Sequence, residues 1–161
     1  MKLVVTLTKQ YFKSHPKAGE PTQFADMVRN GSKIHTCRDN ADYWIGKIES
    51  LKATGGTLCI REWSGRPYRS PQDTVMEISS EVVHVSVLKL TRLTFDGPTS
   101  GCHYHTYSAI VGNRHVLTEE IAKNDGFDNE NDFLAFLDPL FDKYQSETIR
   151  LAIIHFTDFR Y

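Results

Sequence analysis

The sequence predicts a single α+β domain, in which five to seven mixed strands carry several short peripheral helices. The length of 161 residues is typical of one domain and is enough to bury a core. Hydrophobic residues make up 40% of the chain and charged residues 24%, which is ordinary for a globular protein. Runs of β-branched and apolar residues alternate with segments of helical periodicity, and a closed or nearly closed barrel suits this order.

Net charge and cysteine content exclude several classes of protein. The formal net charge is −1, so a nucleic acid would have to meet a local basic patch. The three cysteines, Cys37, Cys59 and Cys102, are odd in number and widely spaced, which argues against a disulfide framework and fits a reducing compartment. The first apolar run is too short for a signal peptide, and no run approaches the roughly 20 apolar residues of a membrane span. We therefore expect a cytoplasmic protein with no membrane partner, and its oligomeric state is left open.

The opening of the chain predicts a strand and then a short helix. Leu3–Leu7 is apolar and rich in β-branched residues, which favours a strand. Apolar residues then recur at helical spacing within Phe24–Val28. Thr22 is placed to cap the start of this helix, and Gly31 is the expected left-handed residue just past its end.

The middle of the chain predicts one more helix and several strands. A broad apolar face predicts a helix from about Asn40 to Ala53. The strands predicted after it are 58–63, two strands within 74–95 that break near 79–81, and a weaker strand at 103–111. Glycine and proline mark loop insertions near 64–72 and 96–102. Trp44 and Trp63 are expected in the core.

The last part of the chain predicts two helices and a closing strand. A short helix covers Leu117–Lys123, with Thr118 as its cap and acidic residues in its first turn. The next helix starts at Asp128 and has the clearest helical periodicity of the chain, although Pro139 is expected to kink or restart it. The apolar run 149–156 reads as a buried strand.

The segment Gly31–Asp39 joins the first helix to a strand and concentrates side chains that can do chemistry. Lysine can act as a base or bind an anion, because its pKa falls when it is buried. An amine can activate threonine as a nucleophile, and the arginine fork can hold a phosphate or a carbonyl. Lys33 and Thr36 would point to opposite faces of a straight strand, so they can cooperate only if the chain bends between them. The alternative is a capping glycine followed by an edge strand with solvated charges.

The pattern Gly31-x-Lys33-x-x-Thr36-x-Arg38 resembles the signature of the ASCH domain, a PUA-like β-barrel family that is linked to RNA. The usual form of that signature is G-x-K-x-x-E-x-R. The segment 121–127, followed by an amphipathic helix, resembles a second hallmark of the family. The resemblance implies one PUA-like barrel over the whole chain, with RNA or a modified nucleoside as its partner.

Threonine stands at position 36 where the family usually has glutamate. The variant G-x-K-x-x-T-x-R-D is similar to the ASCH branch that hydrolyses N4-acetylcytidine. This resemblance implies that Lys33 is the base, Thr36 the nucleophile and Asp125 the carboxylate. Asp125 is one methylene shorter than the glutamate of that branch, and its alternative role is to cap the following turn.

Candidate ligand-binding residues lie in two places, the segment Gly31–Asp39 and the loop from Gly65 to Arg69. The loop from Gly65 to Arg69 interleaves two arginines with an aromatic ring, which can bind phosphates and stack a base. The alternative is a solvated turn in which the ring folds back on the barrel. The candidate ligand-binding residues of the segment and the loop are Gly31, His35, Arg38, Arg66, Tyr68 and Arg69.

No metal site and no cofactor are expected. Cys102, His103 and His105 are of types that bind zinc, but no fourth ligand follows at a motif-like spacing. Cys37 lies within the central segment without an evident histidine–carboxylate set, and a buried cysteine is often only a small apolar residue.

Three functions are compatible with these residues. The first is binding of RNA or a modified nucleoside in a cleft near residues 31–39 and Asp125. The second is hydrolysis of an acylated nucleoside, which requires the Lys33 amine and the Thr36 hydroxyl within hydrogen-bond reach, roughly 3 Å. The third is a protein-interaction role, for which no cleft is needed there.

Overall fold

The computed structural model describes residues 1–161 and contains eight strands and four helices. The predicted α+β class is confirmed. In chain order the elements are β1 (Lys2–Leu7), α1 (Phe24–Asn30), β2 (His35–Arg38), α2 (Ala41–Ala53), β3 (Thr57–Trp63), β4 (Gln72–Ser79), β5 (His84–Asp96), β6 (His103–Val111), β7 (Arg114–Val116), α3 (Thr118–Asn124), α4 (Glu130–Tyr144) and β8 (Thr148–His155).

The strands form two sheets. The smaller sheet has the order β1-β3-β4, with β1 parallel to β3 and β3 antiparallel to β4. The larger sheet has the order β2-β8-β5-β6-β7 and is antiparallel throughout. The count exceeds the predicted five to seven because β7, with three residues, is too short to show an alternating pattern. None of the four helices combines the length and the apolarity that crossing a membrane demands.

A single apolar core of 31 buried residues joins both sheets to the helices. Helix α4 contributes Phe133, Leu137 and Phe141 to this core at i, i+4 and i+8. The helix continues through Pro139 without the predicted restart, since Pro139 is exposed and the apolar face on the other side packs in the core.

The end of α1 is as predicted, but its start is not. Gly31 has φ 81° and its N–H donates to the carbonyl groups of Met27 and Val28, as expected of a left-handed residue after a helix. The residue before the helix is Gln23, also left-handed with φ 60°. Thr22 therefore lies one residue before the N-cap position; its hydroxyl accepts the N–H of Phe24 at 3.4 Å and donates to the carbonyl oxygen of Thr8 at 2.5 Å, which ties the preceding loop to the end of β1.

The predicted caps of α3 and α4 are each displaced by one residue. Leu117 precedes α3, and the hydroxyl of Thr118 donates to the carboxylate of Glu130 at 2.6 Å. Asn129 caps α4 in place of Asp128, and its side chain accepts the N–H three residues further on. The Thr118 hydroxyl, like that of Thr22, makes a contact between elements, which local sequence does not reveal.

Candidate functional site

Lys33 and Asp125 form a buried ion pair at the junction of α1, β2 and α3. Their exposed fractions are 2% and 3%. The Lys33 ammonium donates to the backbone carbonyl oxygen of Asp125 and to its carboxylate oxygen Oδ1. The other oxygen, Oδ2, accepts the backbone N–H of Cys37 at 2.9 Å. The predicted convergence of residues 31–39 with Asp125 is therefore present in the structure.

Backbone hydrogen bonds bring these two distant parts of the chain together. After α1, the N–H of Lys33 donates to the carbonyl oxygen of Met27 at 3.0 Å, which turns the chain back on the helix end. The N–H of Ile34 donates to the carbonyl oxygen of Asn124 at 2.9 Å, next to Asp125 at the end of α3. Side chains and main chain thus hold the same junction.

The ammonium of Lys33 lies in an apolar environment. Its Nζ is 4.4 Å from the centroid of the Phe24 ring, close enough for a cation–π contact. Burial lowers the pKa of Lys33, and the charge of Asp125 opposes this shift. The chain passes next to the lysine stem at Gly126, which has φ 87°; a Cβ there would lie 3.0 Å from Met27 Sδ and 3.2 Å from Lys33 Cβ.

Thr36 is bonded to Arg38 rather than to Lys33. The Nη1 of Arg38 donates to the Thr36 hydroxyl at 2.7 Å and to the carbonyl oxygen of Cys37 at 2.8 Å. Its Nη2 donates to the carbonyl oxygen of Thr6 in β1 at 2.7 Å, which connects the two sheets. The contact between the Lys33 amine and the Thr36 hydroxyl that hydrolysis requires is not among the hydrogen bonds of either residue.

A small cavity of about 20 Å³ collects the polar groups of this junction. That volume is enough for about one water molecule. Its polar lining includes Thr36, Cys37, Arg38 and Asp125, whereas Lys33 is not part of it. The rest of the lining is residues Leu7, Thr8, Phe24, Phe127, Phe133, Phe136 and Leu137. The cavity therefore presents a hydroxyl, a guanidinium and a carboxylate within an aromatic surround.

A groove of about 910 Å³ adjoins this cavity and shares Leu7 and Thr8 with it. The groove runs between residues 6–13 and residues 63–72. Its charged lining residues are Lys9, Lys13 and Arg66, and no aspartate or glutamate lines it. Cations without carboxylates make the groove suited to an anionic ligand.

Tyr68 and Trp63 form an aromatic surface within the groove. Their ring centroids are 5.3 Å apart. Tyr68 is 89% exposed, so its ring is not folded back on the core. Trp63 is half-buried in the groove wall rather than in the core as expected, whereas Trp44 packs against the core as predicted.

Three predicted ligand-binding residues lie outside the cavity and the groove. Gly31 is exposed at the end of α1 and lines a separate surface depression. Arg69 follows Tyr68 in the same loop but does not line the groove. His35 is fully buried behind the cavity, with Nε2 2.6 Å from the hydroxyl of Tyr161, and burial lowers its pKa to about 4.

Sequence reasoning missed the basic residues of the first loop, Lys9 and Lys13. They flank Tyr11 and Phe12, so this stretch has the same interleaving of cations and aromatic rings as residues 65–69. This repeated pattern is the sequence signal that could have identified Lys9 and Lys13 as binding residues. Nothing in the sequence indicates that the two loops face each other across one groove.

The side chains that can hold a metal ion differ from the cysteine and two histidines that the sequence suggested. Cys102, His103 and His105 are exposed, and His103 and His105 bond instead to Asp96 and Thr94. The one group of three metal-ligating side chains is His35, Cys37 and Asp125. Burial raises the pKa of the Cys37 thiol well above its usual range, so without a metal it is a neutral thiol rather than a nucleophile.

Comparisons of this chain with models of protein families, with curated proteins and with solved structures gave no match.

Proposed function

We propose that this protein binds RNA or a modified nucleoside or nucleotide, in the cleft made by residues 31–39, Asp125 and the adjoining groove. One observation carries the proposal: a small polar cavity and a basic, aromatic groove share two lining residues, Leu7 and Thr8. A nucleotide has the matching parts, which are a flat ring with polar edges and a phosphate.

The groove offers both kinds of contact that single-stranded nucleic acid uses. Lys9, Lys13 and Arg66 can bind phosphates. Tyr68, exposed and next to Trp63, can stack a base. Because the net charge of the whole chain is −1, attraction to a polyanion would come from this local patch.

The cavity is suited to one polar substituent of a base. It has the volume of about one water molecule, so the ring itself would lie at the groove end. Arg38 offers donors to a carbonyl oxygen, and the hydroxyl of Thr36 can donate or accept. These two side chains bond to each other in the structure, so the cavity selects a substituent that can pair with both of them and replace that bond without a loss of hydrogen bonding.

Fluorescence anisotropy with a labelled single-stranded RNA tests the proposal. Replacement of Tyr68 with alanine removes a stacking contact worth about 1–3 kcal/mol, so the Kd should rise roughly 5- to 150-fold. The matched control is Lys89→Ala, since Lys89 is an exposed cation on β5 away from the groove. No binding by the wild type, or equal losses in both variants, would contradict the proposal.

Hydrolysis of an acylated nucleoside is the second candidate. The observation in its favour is the approach of Lys33, Thr36 and Asp125 to one junction. Against it, the Lys33 amine is held by Asp125 and the Thr36 hydroxyl by Arg38, so catalysis would need both bonds to rearrange. Incubation with N4-acetylcytidine distinguishes hydrolysis from binding. Turnover by the wild type that disappears in Lys33→Ala supports hydrolysis. Absence of turnover by the wild type leaves binding as the proposed function.

Two further parts of the proposal concern fold and location. We propose that the two sheets correspond to the PUA-like barrel of the ASCH family; the shared core and the Arg38 bond between sheets support this. A cytoplasmic location is supported by three cysteines that are all free thiols.

A further inference from the structure

Three buried side chains of different chemistry converge behind the cavity. His35 and Cys37 alternate along β2 and so point to the same face of the strand. Asp125 approaches that face from the end of α3. The exposed fractions of the three residues are 0%, 8% and 3%. Their nitrogen, sulfur and oxygen atoms all lie within 4.8 Å of one another.

His35 Nδ1 has no hydrogen-bond partner. It lies 3.9 Å from Oδ2 of Asp125, beyond hydrogen-bond distance. The other ring nitrogen, Nε2, is bonded to the hydroxyl of Tyr161, which also accepts from the side chain of Asn124 at 3.1 Å. A buried nitrogen without a partner is rare in proteins and requires an explanation. Here the unpaired atom points to a carboxylate and a thiol.

We propose that His35 Nδ1, Cys37 Sγ and Asp125 Oδ2 form a binding site for Zn²⁺. Imidazole, thiolate and carboxylate are the three ligand types that zinc uses. Zinc–ligand bonds of about 2.0–2.3 Å at tetrahedral angles place ligand atoms roughly 3.3–3.6 Å apart. The separation of 3.9 Å between Nδ1 and Oδ2 is close to this range, so the ion needs side-chain movements of about 1 Å or less at these two ligands.

The surroundings of the three ligands orient them as in known metal sites. The Tyr161 hydroxyl fixes the ring of His35 through Nε2, which leaves Nδ1 as the ligand. The backbone N–H of Cys37 holds Oδ2 in place. Lys33 occupies Oδ1, so it neutralises charge without taking the oxygen assigned to zinc. A coordinated thiol loses its proton to solvent, so the neutral thiol of the metal-free protein does not prevent binding.

The fourth position of the ion would face the small cavity. Cys37 and Asp125 line that cavity together with Thr36, and it has room for about one water molecule. Three protein ligands with one open position is the arrangement of zinc sites that keep a water ligand. This inference does not rest on nucleic-acid binding, because the groove residues take no part in it.

Titration with Co²⁺, a spectroscopic substitute for zinc, tests the site. The protein carries Cys102→Ser throughout, since Cys102 is exposed and near two histidines. We expect a thiolate-to-cobalt charge-transfer band that saturates at one equivalent and disappears in Cys37→Ser. Cys59→Ser, which removes the other buried thiol, is the matched control and should keep the band. No band, or a band that survives Cys37→Ser, would overturn the proposal.

A second measurement needs no replacement of a ligand, in case Cys37→Ser fails to fold. X-ray absorption of the zinc-loaded protein should show one sulfur at about 2.3 Å and nitrogen or oxygen atoms at about 2.0–2.2 Å. His35→Gln should weaken zinc binding at least roughly tenfold. A zinc shell without sulfur, or an unchanged affinity in His35→Gln, would show that the ion binds elsewhere.

Discussion

At the scale of single residues, the Lys33–Asp125 pair makes the junction sensitive to substitution. Replacement of Lys33 with methionine leaves the Asp125 carboxylate buried without a counter-charge. We expect the free energy of unfolding to fall by about 3–5 kcal/mol, because an unpaired buried charge is far more destabilising than a lost surface pair. Urea denaturation measures this change.

Two variants make that prediction specific. Lys33→Met combined with Asp125→Leu removes both charges and should recover most of the loss. Lys2→Met breaks an exposed ion pair with Glu77, whose atoms are 2.9 Å apart, and should leave the stability nearly unchanged, because water screens the pair. Similar losses in Lys33→Met and Lys2→Met would mean that the buried pair has no special role.

Gly126 and Gly31 allow steric crowding to be separated from backbone strain. Both have positive φ, 87° and 81°, so alanine at either position should be destabilising by about 1–2 kcal/mol. A Cβ at Gly31 meets nothing within 4 Å, whereas at Gly126 it meets Met27 and Lys33. We therefore expect Gly126→Ala to lose about 1–3 kcal/mol more than Gly31→Ala in urea denaturation. Equal losses would indicate that the lysine stem moves aside freely.

The sequence predicted which residues meet at the junction of Lys33 and Asp125 better than it predicted the hydrogen bonds between them. Lys33, Thr36 and Arg38 could be found because they lie in one short spaced motif, and Asp125 because the segment 121–127 resembles a second hallmark of the ASCH family. The bonds of Arg38 could not, since the guanidinium that bonds to the Thr36 hydroxyl is also held by the carbonyl oxygen of Thr6 in β1. Spacing indicates which side chains share a region, whereas the distances that decide between binding and hydrolysis are set by tertiary packing.

At the scale of elements, three histidines form a row across the larger sheet. His35 of β2 and His84 of β5 both lie opposite His155 of β8. His155 is fully buried, and its Nε2 is bonded to the Ser86 hydroxyl at 2.9 Å. Burial lowers the pKa of His155 to about 3. The row therefore packs as neutral rings, and protonation would place charge inside the sheet.

This row predicts loss of stability in acid. In the unfolded chain His155 binds a proton near pH 6.5, whereas in the folded protein it does so only near pH 3, so the unfolded state binds more protons between these values. The free energy of unfolding should therefore fall by several kcal/mol as the pH drops from about 6.5 to 3. Denaturation of the metal-free protein at a series of pH values measures this slope.

His155→Gln should flatten the pH dependence, since glutamine does not titrate and can still bond to Ser86. His103→Gln is the control, because His103 is exposed on β6. A slope that is the same in His155→Gln and the wild type would show that other groups cause the acid sensitivity.

The prediction of an element succeeded where its own residues show the pattern, and it failed where the element depends on packing against distant parts of the chain. Helix α4 was found from its apolar face, but Pro139 suggested an interruption that does not occur. The packing of Phe133, Leu137 and Phe141 outweighs the hydrogen bond that proline cannot make. Strand β7 was missed because its three residues are held by β6 rather than by their own propensity.

At the scale of the whole molecule, nucleic-acid binding should depend on salt only through the groove. Lys9, Lys13 and Arg66 are its three cations. Neutralising three phosphates of a single strand gives a slope of about −2 in log Kobs against log salt. Arg66→Ala should reduce the magnitude of that slope by about 0.7, and Lys89→Ala should leave it unchanged. Anisotropy titrations at several salt concentrations measure both, and a slope near zero would exclude phosphate binding in the groove.

The position of β8 has a consequence for synthesis of the protein. β2 pairs with no strand other than β8, and Lys33 is separated from its carboxylate partner by 92 residues. Until Asp125 and α4 have been synthesised, Lys33 has no carboxylate partner, and the small cavity lacks the lining residues that α4 contributes. The small cavity is therefore completed after the groove, whose lining residues all lie between positions 6 and 72, so an incomplete nascent chain lacks the part of the site that pairs with a polar substituent.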